Sequence, residues 1–331
     1  MLQSIQEKIP GVLTSFLIAI AAYFLAKMVP VIGGPVFGIS LGILAASLVK
    51  LPDQLSKGIK FTSKYILQFA VILLGFEMNM GKVIEVGKQS ILVIFLTLTA
   101  SFLTAYLVGK KLNIHKKLAI LIGVGTAICG GSAIAAAAPA IDAKDEDISF
   151  AISTIFLFNI IAVFLFPLIG HLLKMTDSGF GMWAGTAIND TSSVVAAGYS
   201  YSNAAGNFAT IVKLTRSLMI VPVTLALALL TARSEKREDN HFNFLKVFPW
   251  FVVGFLTASI LNSLGWLPVQ TTSLLAQSGK FFIIMAMSAI GLSTNLRTFI
   301  KTAPRALLLG SFTWLAVMLT SLAAQVFLQI W

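Results

Sequence analysis

The sequence predicts an all-α polytopic membrane protein, and three observations support this fold class. The 331 residues are 57% hydrophobic and only 11% charged, whereas a soluble domain has about 25% charged residues. The apolar runs are long, and roughly 20 residues are enough to cross a bilayer as a helix. They lack the short alternating segments of a transmembrane β-barrel. We therefore expect a single transmembrane domain that comprises residues 1–331.

About eleven apolar runs predict the transmembrane helices in chain order. The first run has no clear small-residue cleavage site and is followed by further runs, which favours a helix over a signal peptide. The second run is rich in glycine, which allows helices to pack closely. The runs comprise residues 11–29, 31–49, 64–80, 90–109, 117–139, 148–173, 179–198, 207–232, 245–264, 280–296 and 304–330.

Basic residues cluster in alternate loops, and this asymmetry predicts the orientation. Short loops rich in Lys and Arg stay in the cytoplasm, so we expect a cytoplasmic N-terminus and an external C-terminus in a bacterial inner membrane. The acidic loop 142–147 would then lie outside. The net charge of +11 follows from the basic loops, and no nucleic-acid partner is expected. The loop cations are Lys50, Lys57, Lys60, Lys64, Lys110, Lys111, Lys116, Lys117, Arg233, Lys236, Arg237, Lys246, Arg297, Lys301 and Arg305.

Several classes of function are not expected. Cys129 is the single cysteine, which excludes an intrachain disulfide, and the three histidines show no metal-ligand spacing. We therefore expect neither a metal nor a cofactor. The sequence contains no P-loop pattern, which argues against an ATP-driven pump, and no HExxH or GxSxG pattern, which argues against an intramembrane enzyme.

Two similar interruptions of the apolar pattern predict the functional centre. Residues 125–138 read GTAICGGSAIAAAA and residues 185–198 read GTAINDTSSVVAAG, with seven identities in fourteen positions. Small and hydroxylated residues at membrane depth are tolerated where the backbone faces protein, water or a bound solute. The pairing therefore predicts a secondary transporter with one site between the two interruptions.

The first interruption contains Thr126, Cys129, Gly130, Gly131 and Ser132. Adjacent glycines favour local unwinding, which exposes peptide N–H and C=O groups to a solute. A broken helix also offers a new helix N-terminus, whose partial positive charge attracts an anion. The alternative is a seam of small residues for helix packing.

The second interruption contains Asn189, Asp190, Thr191, Ser192 and Ser193. A carboxylate at membrane depth costs about 2.5–3.5 kcal/mol on insertion scales, so Asp190 needs a partner or a wet cavity. It is predicted to be an ion ligand or a proton carrier. The alternative is a re-entrant segment with this carboxylate near the membrane interface.

Four further polar residues are candidates for the site. Lys213 and Arg216 share a helix face at i and i+3, where they would neutralise the carboxylate, bind an oxyanion, or extend toward the headgroups. Asn79 and Asn295 each end a GxxxN pattern, which hints at internal duplication. Asn159 is predicted to make a hydrogen bond between helices.

The stretches GTAICGGSAIAAAAPAI, DEDISFAISTIFLFN and GTAIND, together with KLTRSLMIVP, resemble the YeiH-type family of bacterial membrane proteins. The resemblance covers nearly the whole chain. Members of that family are commonly described as sulfate exporters, and they look related to bile-acid/sodium symporters and cation/proton antiporters. The relation implies inverted repeats of about five helices, discontinuous helices that cross in a core domain, and a separate scaffold or panel domain. An elevator-like movement and a homodimer are implied by the same analogy.

The resemblance also bears on the second interruption. Asn189 and Asp190 resemble the Asn-Asp pair that binds a cation or proton in some antiporters, and Lys213 and Arg216 resemble its basic partners. Three hypotheses follow. The first is an exporter of sulfate or a related small anion, coupled to a proton or sodium gradient. The second is a cation/proton antiporter that uses Asp190. The third is a membrane protein for assembly or sensing that transports nothing.

Overall fold

The computed structural model describes residues 6–29, 33–49, 52–235, 248–294 and 304–331. Within these ranges all regular secondary structure is helical, which confirms the predicted all-α class. The helices are α1 Ile9–Met28, α2 Gly34–Leu48, α3 Asp53–Glu77, α4 Met80–Lys111, α5 Lys116–Ala127, α6 Gly131–Ala140, α7 Asp145–Leu172, α8 Asp177–Ala187, α9 Thr191–Tyr201, α10 Asn203–Ser217, α11 Ile220–Glu235, α12 Trp250–Ser263, α13 Val269–Ser293 and α14 Pro304–Phe327.

Long apolar helices confirm that the protein is polytopic. Seven segments within the described residues are long and apolar enough to cross a membrane. They are α1, α3, α4, α7, α13, α14 and the segment Asn203–Thr231, which joins α10 to most of α11. The helices α2 and α12 are shorter and also apolar.

The helices pack in two groups. We call α1, α2, α3, α12 and α13 the scaffold helices, because they pack mainly on one another. We call α4 to α11 and α14 the core helices for the same reason. Glycines permit the tight scaffold packing that the second apolar run predicts, since a Cβ on Gly42 would lie 2.4 Å from the Ser288 carbonyl oxygen. The two groups meet mainly where α9 contacts α2 and α13.

The first interruption forms a helical hairpin. The Lys117 Nζ donates a 2.7 Å hydrogen bond to the Asp142 carbonyl, 25 residues along the chain. In one continuous helix these residues would be about 37 Å apart. A Cβ on Gly125 would lie 2.8 Å from the Ile134 side chain, as antiparallel packing of α5 on α6 requires. Hairpin 1, residues 116–140, therefore enters and leaves the membrane at the same face.

The second interruption forms hairpin 2, residues 177–201. The Ser202 Oγ donates to the Asp177 carboxylate at 2.6 Å. The rings of Phe180 and Tyr201 stack with centroids 4.0 Å apart. The beginning of α8 and the end of α9 thus lie side by side, and this hairpin also returns to the face that it entered.

The two hairpins enter from opposite faces, because α7 connects their bases. This helix has 28 residues, which corresponds to about 42 Å. Asp147 near its beginning pairs with His115 at the base of hairpin 1, at 3.2 Å. His171 near its end stacks on Tyr201 at the base of hairpin 2, with centroids 4.3 Å apart.

The termini identify the two faces. A Cβ on Gly33, just before α2, would lie 2.7 Å from the Ser200 Cα at the base of hairpin 2. The helix α1 ends just before Gly33 and therefore begins at the opposite face, where hairpin 1 has its base. We call the face with the base of hairpin 1 the N-terminal face. Trp331 lies against Gly179 at the base of hairpin 2, and we call that end the C-terminal face.

Two expectations are corrected by this topology. The segments 117–139 and 179–198, each expected to be one crossing helix, are hairpins of two shorter helices. The loop 142–147 lies on the N-terminal face beside Lys117 and His115, and not opposite the basic loops. Hydropathy does not distinguish a crossing helix from a hairpin of the same length.

Candidate functional site at the meeting of two hairpin tips

Lys213 of α10 joins the two hairpin tips. Its side chain is fully buried, and its Nζ donates to three main-chain carbonyls. The acceptors are Ile128 of hairpin 1 at 2.7 Å, and Ile188 and Asn189 of hairpin 2 at 3.0 and 2.5 Å. An ammonium has three donors, so each one is used. The tips therefore meet around this nitrogen, between the two faces.

Arg216 lies one turn further along α10 and is also fully buried. Its Nε donates to the Ala127 carbonyl at 2.6 Å, and its Nη1 donates to the Ile188 carbonyl at 3.1 Å. Its Nη2 donates to the Thr126 carbonyl. The guanidinium thus binds both hairpins, as the ammonium does.

The electrostatic reason for this arrangement lies in helix geometry. The accepting carbonyls are at the C-terminal ends of α5 and α8, where the last carbonyls lack partners and the helix dipole is negative. A cationic side chain at this end of a helix donates hydrogen bonds to the free carbonyls and also neutralises the negative end of the dipole. Within the described part of the chain, neither Lys213 nor Arg216 forms an ion pair with a carboxylate. Direct pairing with Asp190 and extension to the headgroups, two of the alternatives for these cations, are therefore not observed.

A cavity of about 370 Å³ lies beside the tips, between the core and scaffold helices. Its core side is formed by the beginnings of α6 and α9 and by one face of α7. Its scaffold side is formed by α3, α12 and α13. The lining residues are Ser63, Lys64, Leu67, Gln68, Val71, Gly131, Ser132, Ile152, Ile155, Phe156, Asn159, Asp190, Thr191, Ser192, Phe251 and Ile290.

The cavity extends from the tips toward the N-terminal face. Ile152 and Asn159 lie in the first half of α7, which begins at that face. Lys64 lies in the first half of α3, and Ile290 lies in the last turn of α13. These parts of the helices all lie in the half of the molecule that is nearer the N-terminal face.

The beginning of α6 faces the cavity, and no side chain caps its first N–H groups. Gly130 precedes this helix with φ +69° and ψ −128°, and no side chain caps it. A Cβ on Gly131 would meet nothing within 4 Å. Since Gly131 and Ser132 line the cavity, the positive end of a helix dipole is directed at open space.

The beginning of α9 is capped by Asp190. The carboxylate accepts a 3.0 Å hydrogen bond from the Ser192 N–H and another from the Ser192 Oγ. The Asp190 N–H donates to the Asn159 Oδ1 at 3.1 Å, so α7 holds this turn in place. Asn159 thus makes the predicted bond between helices and also lines the cavity. The alternative of a re-entrant segment holds, but with Asp190 at its deep tip and not at the membrane interface.

The other predicted residues divide between the tips and the periphery. Cys129 and Ser193 are buried near the tips and do not line the cavity. The Thr126 Oγ1 and both amide atoms of Asn189 are buried and have no hydrogen bond within the described residues. Asn79 does not line the cavity; it caps α4 by accepting from the Gly81 N–H at 2.8 Å. Asn295 lies outside the described residues.

Sequence reasoning missed the scaffold side of the cavity. Lys64 and Gln68 of α3 line it, although Lys64 was interpreted only as an orienting charge. These residues are four apart in one apolar run and so share a helix face. That spacing is the signal that identifies them.

Two opposed re-entrant hairpins around a buried polar centre define a polytopic α-helical membrane protein with an internal site. The family model described as "Conserved hypothetical protein 698" matches residues 10–310. The chain is 48% identical over 335 residues to a UPF0324 membrane protein of Streptococcus pyogenes serotype M3, covering 98% of each chain. It is 44% identical over 344 residues to a UPF0324 membrane protein of Fusobacterium nucleatum, covering 98% of this chain and 99% of the relative. The chain belongs to this family of bacterial membrane proteins.

Proposed function

We propose that this protein is a secondary active transporter of a small anion and that the cavity beside the hairpin tips is its substrate site. The observation that carries the proposal is the meeting of two hairpins from opposite faces beside a cavity of about 370 Å³. Transporters commonly place substrate at the end of an interrupted helix near the bilayer midplane. The third hypothesis, an assembly or sensing protein, requires a dry packed centre and gains no support from the cavity.

The charges around the site favour an anion. The uncapped beginning of α6 supplies N–H groups and a partial positive charge. Ser132 and Thr191 supply hydroxyl donors, and Lys64 supplies an ammonium. The opposing charge in the lining is the carboxylate of Asp190, which is already engaged as a helix cap.

The apolar part of the wall narrows the choice of anion. Leu67, Val71, Phe251 and Ile290 form the apolar part of the scaffold side, opposite the donors of the hairpin tips. Sulfate would use the donors and leave this wall unoccupied, whereas an organic anion such as a small sulfonate would contact both. Ligand sites usually combine an apolar lining with a few placed polar groups. We therefore favour a small organic anion over sulfate itself.

The division into core and scaffold helices supports an elevator-like mechanism. The hairpins belong to the core helices, so movement of that group past the scaffold would carry the site between faces. The proposal also includes coupling to a proton or sodium gradient, export as the direction of transport, a homodimer and a cytoplasmic N-terminal face. They rest on the sequence patterns and the resemblance given above.

The anion hypothesis predicts stabilisation of the purified protein by its substrate. Sulfate, methanesulfonate and longer alkyl sulfonates, compared at equal concentration, should raise Tm in the order of their affinities, and labelled substrate should enter proteoliposomes. Ser132→Ala with Thr191→Ala removes two donors. Because a hydrogen bond to a charged group contributes about 1.5–3 kcal/mol, the double variant should bind at least roughly tenfold more weakly.

Ser47→Ala is the matched control, since Ser47 is exposed on α2 and bonds to its own helix. It should leave affinity unchanged. Stabilisation by sulfate alone would contradict the organic substrate but preserve an anion transporter. Absence of any anion-dependent shift or flux would reject the proposed function.

A cation/proton antiporter is the second candidate, because the Asp190 carboxylate lines the cavity. Asn is as good a helix N-cap as Asp, so Asp190→Asn should fold while losing the titratable charge. Antiport predicts loss of cation-driven proton movement in proteoliposomes, measured with a pH-sensitive dye. The anion hypothesis predicts that sulfonate binding persists in this variant. Unaltered proton exchange would eliminate the antiporter.

A further inference from the structure

The three carbonyls around Lys213 have the composition of an alkali-cation site. They come from the ends of two helices that approach from opposite faces. Main-chain carbonyls of interrupted helices and helix C-terminal ends are the groups that bind Na⁺ in many transporters. Here the position is filled by the ammonium of the protein itself.

The surroundings reinforce this comparison. Asn189 supplies one of the carbonyls and also carries a fully buried side-chain oxygen without a hydrogen bond within the described residues. Arg216 binds the neighbouring carbonyls and shares that of Ile188. The negative ends of two helix dipoles therefore converge where a cation is required for the tips to stay together.

We propose that Lys213 is a built-in substitute for a bound alkali cation, and that its removal uncovers a site for Na⁺. The ammonium neutralises the carbonyl cluster permanently, so the tips do not need a cation from solution to close. Anion binding at the adjacent cavity is then independent of Na⁺ in the natural protein, so of the two coupling ions proposed above this inference favours the proton. The proposal rests on the carbonyl geometry and does not depend on the identity of the substrate.

The test is the thermal stability of Lys213→Ala in detergent, measured in NaCl, KCl and choline chloride at equal ionic strength. Alanine leaves the carbonyls unpaired and frees the volume of the long side chain. Bound Na⁺ should raise Tm by roughly 5 °C at a hundredfold excess over its Kd, whereas choline is too large to enter. The natural protein should show equal Tm in NaCl and choline chloride.

Two variants control for loss of charge and for loss of volume. Lys213→Met keeps most of the side-chain volume, so its Tm should not respond to Na⁺. Lys57→Ala removes an exposed lysine that pairs with Glu7 at 2.6 Å, and it should behave as the natural protein does.

A folded Lys213→Ala protein with the same Tm in all three salts would overturn the proposal. If Lys213→Ala cannot be isolated in any salt, the proposal is tested by the Tm of the natural protein in NaCl and in choline chloride. A sodium-specific rise of its Tm would show that the cation position is vacant and would overturn the proposal. Equal Tm values, with sulfonate binding unaffected by replacement of Na⁺ with choline, would support it. Failure of sulfonate binding alone would count only against the proposed function.

Discussion

Two adjacent glycines at the tip of hairpin 1 have different roles. Gly130 has φ +69°, a conformation that residues with a Cβ rarely adopt. A Cβ there would meet its nearest atom, in Ile155, at 3.4 Å, which is ordinary contact. Backbone conformation, and not space, therefore requires glycine at this position. Gly131 is in the helical region and faces the cavity.

This difference yields a prediction for a matched pair of variants. Gly130→Ala should destabilise the protein by about 1–3 kcal/mol, the usual cost of a strained backbone conformation. Gly131→Ala should leave stability nearly unchanged, because its methyl group enters open space, but it should weaken substrate binding. Thermal unfolding and sulfonate titration measure the two effects. Equal losses of stability in both variants would contradict the assignment.

The sequence identified the residues of the centre but not the contacts that they make. Asp is one of the preferred N-cap residues, so the role of Asp190 as a helix cap was predictable. The partners of Lys213 were not, because the acceptors lie 85, 25 and 24 residues away in the chain. A carbonyl acceptor also has no sequence signature, since each residue carries one.

At the scale of elements, the paired interruptions were predictable and their direction was not. Small and polar residues within an apolar run indicate a break in a helix. Whether the chain then continues or returns depends on tertiary contacts such as the Lys117 hydrogen bond to Asp142. Both hairpins were counted as crossings. Because both segments return to the face that they entered, the beginning of α1 and Trp331 lie at opposite faces of the described structure.

The hairpins are held by contacts from other core helices. The Trp314 Nε1 of α14 donates to the Ala187 carbonyl at 3.0 Å, close to the tip of hairpin 2. Trp183 stacks on Phe166 of α7, with centroids 4.1 Å apart. These buried aromatic contacts connect α8 to two long helices, so hairpin 2 is packed as part of the core group.

At the scale of the molecule, the two sides of the tips differ. On the C-terminal face, Gly33 of the scaffold lies directly against Ser200 of hairpin 2. The Lys280 Nζ, also from the scaffold, lies 5.6 Å from the ring centroid of Tyr199. On the N-terminal face the cavity separates the two groups. Among the described residues, the two groups are therefore in contact toward the C-terminal face and separated by the cavity toward the N-terminal face.

This asymmetry predicts the side from which the site can be labelled. Ser132 is exposed in the cavity, and Cys129 is the native cysteine, so Ser132→Cys in a Cys129→Ser background gives one reporter thiol. A membrane-impermeant maleimide added at the N-terminal face should react with it faster than one added at the C-terminal face. A difference of at least roughly tenfold corresponds to about 1.4 kcal/mol for opening the closed face.

Exposed positions at each face provide the controls in the same background. Ser56→Cys should react only from the N-terminal face and Lys174→Cys only from the C-terminal face, in intact cells and inverted vesicles. These two variants also test which face is cytoplasmic. Equal labelling of Ser132→Cys from both faces would mean a site open to both sides, which is incompatible with a coupled transporter. Faster labelling from the C-terminal face would show that the protein in the membrane favours the opposite state.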